Sequence, residues 1–122
     1  MDSIRLFLKE NYKSYFFDNA SVNMLILGDF FRSDVGCRTT FKDWASTAVD
    51  GDYCSGNTTG LEIEGDDILM TDLYPEVPAE LRMKKEQFIK LFDEWLEKVC
   101  KKNPKEVMII HDNDEFRIEV KD

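Results

Sequence analysis

Between Phe88 and Val99 the apolar residues fall on a single stripe. Phe88, Leu91, Phe92, Trp95 and Val99 stand at i, i+3, i+4, i+7 and i+11, a spacing that puts them on one face of an α-helix. Ile89, Leu96 and Cys100 widen that face, while Glu86, Lys90, Glu94, Glu97, Lys98 and Lys101 occupy the other side. Three acid-to-base pairs run in the favourable i,i+4 direction: Glu86 to Lys90, Glu94 to Lys98 and Glu97 to Lys101. The lysines at the end suit the negative pole of the helix dipole. Asn103-Pro104 is the stop, because proline cannot continue the ladder and drives the residue before it out of the helical region. The pattern predicts a helix over Lys84–Lys102 with Trp95 at the centre of its buried side. A stripe of this width needs an apolar layer to lie against, and the rest of the chain must supply it.

Strand patterns flank the helix. Leu81 and Met83 alternate with Arg82 before it. After it come Val107–Ile110 and then Phe116, Ile118 and Val120, separated by Asp112-Asn113-Asp114, which is turn chemistry and predicts a β-hairpin. Upstream, Leu61-Glu62-Ile63-Glu64 alternates, so one side is buried and one is wet. Gly65-Asp66-Asp67 is a tight turn, Ile68–Leu73 the returning strand, and Tyr74–Pro78 an extended connector. Phe41, Trp44, Ala45 and Ala48 predict a short helix over Phe41–Val49. Asp50–Asn57 is rich in Gly, Asp, Ser and Asn and reads as a surface loop. Near the N-terminus, Ile4, Phe7, Leu8 and Tyr12 suggest a short helix. Tyr15-Phe16-Phe17 suggests a strand, and Asp18–Ser21 and Ser33–Gly36 read as turns. Met24–Phe31 is a nearly continuous apolar run that predicts a strand, with Gly28 marking a bulge or a close backbone approach.

These elements predict an α+β fold in one domain spanning residues 1–122, which is enough chain for one real core. The expected sheet is mainly antiparallel with five or six strands, the long helix across one face and the shorter helices beside it. No apolar run approaches the roughly 18 residues of a membrane helix. Met1-Asp2-Ser3 lacks the basic start of a secretion signal. The cysteines, Cys37, Cys54 and Cys100, are odd in number and form no C-x-x-C, which predicts reduced thiols in a cytoplasmic protein. On that reading the sequons at Asn19 and Asn57 carry no sugar.

Charge narrows the partners. The chain carries a net −9, which repels phosphate and argues against nucleic-acid or anionic-membrane partners. Its distribution is uneven. From Asp43 to Leu81 there is no Lys or Arg, but there are ten acids: Asp43, Asp50, Asp52, Glu62, Glu64, Asp66, Asp67, Asp72, Glu76 and Glu80. The remainder of the chain is therefore close to neutral. A segment of this kind is either a solubilising face or a docking surface for a basic partner.

Catalytic patterns are weak. His111 is the one histidine, beside Asp112 at a strand end, and reads as a strand-end residue near solvent; a Cys/His site with Cys37 or Cys54 is the weaker alternative. Asp50-Gly51-Asp52 starts like a calcium loop, but Cys54 takes a ligand position, the glycine comes one place late and Leu61 stands where the closing Glu belongs. Asp112-Asn113-Asp114 fails in the same way, and zinc spacing is absent. An acid–base pair needs burial or a like-charge neighbour to set its proton, and the sequence shows neither at the Asp66-Asp67 turn. Phosphate-loop, dinucleotide and nucleophile-elbow patterns are missing.

Thr71-Asp72-Leu73-Tyr74, Gln87–Trp95, Pro104–Ile110 and Phe116–Glu119 together resemble a group of small acidic bacterial immunity proteins, the likeness covering about the C-terminal half. Such proteins neutralise the toxic C-terminal domains of polymorphic toxins, including contact-dependent growth-inhibition effectors. The resemblance implies a cytoplasmic, non-catalytic protein without cofactor or metal and with a dedicated toxin partner. That partner is often a nuclease with a basic active site. It also implies contacts held in variable loops. On the charge pattern, the candidate partner-binding residues are Asp50, Asp52, Tyr53, Asp66, Asp67, Asp72 and Glu76, with Tyr53 as an aromatic anchor. The alternatives are an acidic adaptor or regulatory module for another basic protein, and a small enzyme using a carboxylate pair.

Overall fold

The structure, a computed structural model, describes residues 1–12, 14–18, 20–74 and 79–122. Strand β1 (Asp2–Phe7) is followed by β2 (Phe16–Phe17), helix α1 (Val22–Asp29) and a wide π-helical segment, Phe30–Val35. Helix α2 (Thr40–Thr47) leads to β3 (Tyr53–Ser55), β4 (Thr59–Glu64), β5 (Asp67–Asp72) and β6 (Glu80–Lys84). Helix α3 (Lys85–Trp95) runs into a second π-helical segment, Leu96–Cys100, before the hairpin β7 (Glu106–Asp112) and β8 (Glu115–Lys121).

The class is α+β, as expected, but the strands do not form one sheet. Among the described residues there are two antiparallel sheets of four strands each, in the orders β2-β1-β7-β8 and β3-β4-β5-β6. The first is closed by a pairing of the two chain ends, with Ile4 opposite Ile109 and Leu6 opposite Val107. Helix α1 touches β1 of that sheet and β5 and β6 of the other, and α3 bridges β8 to β5 and β6. The apolar layer that the α3 stripe requires is thus shared by two sheets and α1.

Two N-terminal expectations are overturned. Residues 2–7 are a strand, not a helix: Ile4 and Leu6 are buried while their neighbours are not, a period of two. Ile4, Phe7 and Leu8 had also matched helical spacing, and the β7 partner decides between the two. Met24–Phe31 lies in α1 and the segment after it, not in a strand. The Ser21 hydroxyl caps the helix, accepting the Met24 N–H at 3.4 Å. The run is mostly apolar because the helix packs against both sheets, burying Met24, Ile26 and Leu27 and leaving Leu25 and Asp29 half-buried. Gly28 marks a close approach, as suspected, but of helix to sheet: a Cβ there would come within 2.5 Å of Ile4 Cδ1.

The core is built on rings. Phe30, Phe31, Phe88 and Phe92 are nearly inaccessible to solvent, with centroid separations of 5.2 Å for Phe30–Phe31 and 5.8 Å for Phe31–Phe92. Trp95 stacks on Phe31 at 5.0 Å, and its indole N–H donates to the Gly36 carbonyl at 2.7 Å. Lys85 opens α3 by donating its backbone N–H to Asp66 O at 2.8 Å, which replaces a side-chain cap. The helical turns end at Cys100, two residues before the expected Lys102, and Asn103 takes a left-handed φ of 46° ahead of Pro104. The β7–β8 turn has positive φ at both Asn113 and Asp114, as a type I′ hairpin requires. The edge of β8 is covered by side chains of α3 and the π-helical segment after it: Gln87 donates to Phe116 O at 3.0 Å and Lys98 to Ile118 O at 2.8 Å.

The cysteine expectation also changes. Cys37 and Cys100, 63 residues apart in sequence, are joined by a disulfide with their Cα atoms 5.7 Å apart. The core contacts of Trp95 with Phe31 and Gly36 bring these two positions together, which spacing alone does not reveal. Cys54 is free. No helix among the described residues is long and apolar enough to cross a membrane.

Candidate docking face

The β3–β6 sheet has one covered side and one open side. Leu61, Ile63, Ile68, Met70, Leu81 and Met83 point into the core. Alternation therefore sends Tyr53, Glu62, Glu64, Asp67, Leu69, Arg82 and Lys84 outward. Register aligns them in rows: Tyr53, Glu62, Leu69 and Arg82 across the four strands, and Glu64, Asp67 and Lys84 at the β4–β5 turn.

The outward charges are paired on one side only. Arg82 meets Glu64 at 2.7 Å and Asp67 at 3.8 Å, and Lys84 meets Asp67 at 3.0 Å. Hydrogen bonding to Glu64 raises the Arg82 pKa, and hydrogen bonding to Asp67 raises that of Lys84. Toward β3 this compensation stops. Among the described residues Asp50, Asp52, Glu62 and Asp66 form no salt bridge, although Asp66, at the β4–β5 turn, is near enough to Lys84 to help raise its pKa.

The Asp50–Asn57 region is more ordered than a surface loop. Gly51 donates to Ile63 O at 2.8 Å and Ile63 donates to Asp52 O at 2.9 Å, so the chain continues alongside β4. Residues 53–55 form β3 itself. Asp50 Oδ1 accepts the Gly65 N–H at 2.7 Å, and Asp52 Oδ2 accepts the Val49 N–H at 2.9 Å. These bonds bring Asp50, Asp52 and Asp66 to one end of the sheet and fix the backbone that carries them.

Tyr53 is 57 % exposed, yet its side chain lies along the sheet. A Cβ at Gly60 would stand 2.6 Å from the Tyr53 hydroxyl and 3.0 Å from Thr71 Oγ1. The phenol therefore rests over Gly60 and forms a floor instead of a projecting anchor. The candidate set divides accordingly. Asp50, Asp52 and Asp66 come together near the β4–β5 turn, whereas the Tyr53 ring reaches the other way, over Gly60; Asp67 is beside the three acids but already paired. Asp72 pairs with Thr59 at the far end of β4, about 17 Å from the β4–β5 turn at the usual rise per residue though next to the Gly60–Thr71 pair that Tyr53 covers, and accepts the Tyr74 N–H at 2.9 Å. Glu76 lies outside the described residues.

Two residues were missed. Glu62 belongs with the uncompensated group, and the Leu61–Glu64 alternation already put it on the wet side. The sequence places Asp34 in a turn over Ser33–Gly36, but it lies in the helical segment Phe30–Val35 and is 3 % exposed. Its carboxylate accepts the backbone N–H groups of Asn57, Thr58 and Thr59 and the Thr58 hydroxyl, each at 3.1 Å. Gly56 leaves room for it, since a Cβ there would collide with the carboxylate. Asp34 thus fastens the β3–β4 loop to the end of the first helical unit, and nothing local in the sequence signals a contact across more than twenty residues. His111 stacks flat on Phe116, centroids 4.1 Å apart, at its strand end. Burial pushes the Cys54 thiol up to about 11, which opposes the thiolate a nucleophile needs.

No protein-family profile matches this chain, and neither a curated protein nor a solved structure resembles it.

Proposed function

We propose that this protein is an immunity protein that binds the toxic C-terminal domain of a bacterial polymorphic or contact-dependent inhibition toxin in the cytoplasm, without catalysis of its own. The supporting observation is the open face of the β3–β6 sheet, where Glu62 stands beside the exposed Tyr53 and Asp50, Asp52 and Asp66 gather toward the β4–β5 turn, none of the four acids in a salt bridge among the described residues. Rigid strands and a loop bonded to them hold these charges, so docking costs little ordering entropy. Acids outside any salt bridge, on the same sheet as an exposed tyrosine, suit a partner surface rich in Lys and Arg, such as the substrate groove of a nuclease. Occupying that groove would deny it to nucleic acid.

Coexpression with the toxin domain encoded immediately upstream tests this reading. Growth should be restored by the wild-type chain and not by a folded Glu62→Lys/Asp66→Lys variant. Continued toxicity with soluble wild-type protein present would refute it and favour an adaptor for a different basic protein.

A further inference from the structure

The disulfide has a particular place in the topology. It closes a loop from Cys37 to Cys100 that contains α2, all four strands of the docking sheet and α3. The strands of the other sheet lie outside that loop. One bond therefore rings the unit that carries the candidate face.

The two sulfurs are held near each other by more than the bond. Cys37 follows Gly36, whose carbonyl accepts the Trp95 N–H at 2.7 Å, and Trp95 stacks on Phe31 at 5.0 Å one turn before Cys100. These core contacts do not run through the bond, so they hold the two positions near each other independently of it. Cys37 is exposed and Cys100 is half-buried. A small thiol or disulfide can reach the first and not readily the second. Disulfides in reducing compartments are characteristically transient.

We propose that Cys37 and Cys100 form a redox-responsive staple, standing as thiols in a reducing cytoplasm and closing when small-molecule disulfides of the glutathione class accumulate. The Cys37 thiolate attacks the disulfide, forms a mixed disulfide and releases one small thiol. The Cys100 thiolate then attacks Cys37 Sγ and releases the second. Two protein thiols and one small disulfide become one protein disulfide and two small thiols, and a dithiol reverses the exchange. Closing a loop of 63 residues should shift the folding equilibrium toward the native state by about 10²–10³-fold through loss of unfolded-state entropy. The staple does not depend on what the sheet face binds.

The test is made on the folded wild-type chain, incubated with millimolar oxidised glutathione or with dithiothreitol, then denatured and labelled with maleimide for mass spectrometry. One label after oxidation and three after reduction are expected, with native far-ultraviolet circular dichroism in both forms. The oxidised form should have the higher urea midpoint, and Cys37→Ser should show no such shift. Three labels after oxidation, a glutathione adduct that never resolves to the internal bond, or equal midpoints would each overturn the proposal. So would a bond that survives dithiothreitol in the folded protein, which would make it a permanent cross-link. Wild-type labelling and midpoints decide the matter even if Cys37→Ser fails to fold.

Discussion

Replacing Asp34 by Ala removes the acceptor for three backbone N–H groups and one hydroxyl. Asn57 is exposed and water can take over its bond, whereas Thr59 is 1 % exposed and has no such recourse. Hydrogen bonds to a charged acceptor are worth about 1.5–3 kcal/mol each, and a buried donor left unpaired costs about 1–3 kcal/mol. With the Thr58 and Thr59 bonds lost outright, Asp34→Ala should destabilise the fold by about 3–5 kcal/mol. Asp34→Asn keeps one accepting oxygen and should lose about half of that. Urea unfolding measures the total, and amide hydrogen exchange locates it: Thr58 and Thr59 should lose protection before the β7–β8 ladder does. If Asp34→Ala unfolds within about 1 kcal/mol of wild type and the Thr59 amide stays protected, the carboxylate is not the fastening described.

Two further perturbations address the core and the free thiol. Trp95→Ala should cost about 3–5 kcal/mol in urea unfolding, since it empties a buried site, removes the stack on Phe31 and strands the Gly36 carbonyl; a melt close to wild type would contradict that packing. Alkylation of Cys54 by iodoacetamide should be slow at pH 8 and accelerate only toward pH 11, because burial favours the neutral thiol. The sign for stability follows: a thiol whose folded pKa is raised from 9.0 to about 11 leaves the fold unaffected below pH 9 and weakens it as pH rises through that window. Fast alkylation at pH 8 in the native protein would contradict the burial.

What the sequence discloses about this fold divides along the range of the interactions. Strands β4, β5 and β6, helix α3 and the β7–β8 hairpin carry local patterns that match their final environment: one wet side, one dry side and the expected turn residues. Helix α1 does not, because its less buried side also carries apolar Leu25, so Met24–Leu27 shows no helical period and looks like a buried strand. The partition into two sheets was equally out of reach. It depends on β1 pairing with β7 across the length of the chain, and no local pattern specifies a partner a hundred residues away. The same holds for the Cys37–Cys100 bond and for Asp34. At the candidate face, the exposure of Asp50, Asp52 and Asp66 was legible from composition. That Asp67 is neutralised by Lys84, and that Tyr53 lies flat over Gly60, follow from cross-strand register. Register is a pairing property, so it was not legible.

The account turns on whether the uncompensated acids of the β3–β6 sheet meet a basic partner. Stopped-flow association of the toxin domain, followed across ionic strength, measures this directly. The wild-type association rate should fall steeply as salt screens the charges, and Glu62→Lys/Asp66→Lys should lower it by about tenfold or more at low salt while its urea midpoint stays near wild type. These two side chains are the right pair to reverse, because neither makes the turn-forming carboxylate bonds of Asp50 and Asp52. An association rate indifferent to salt and to this reversal would place the interface elsewhere and leave the acidic sheet face as a solvated surface.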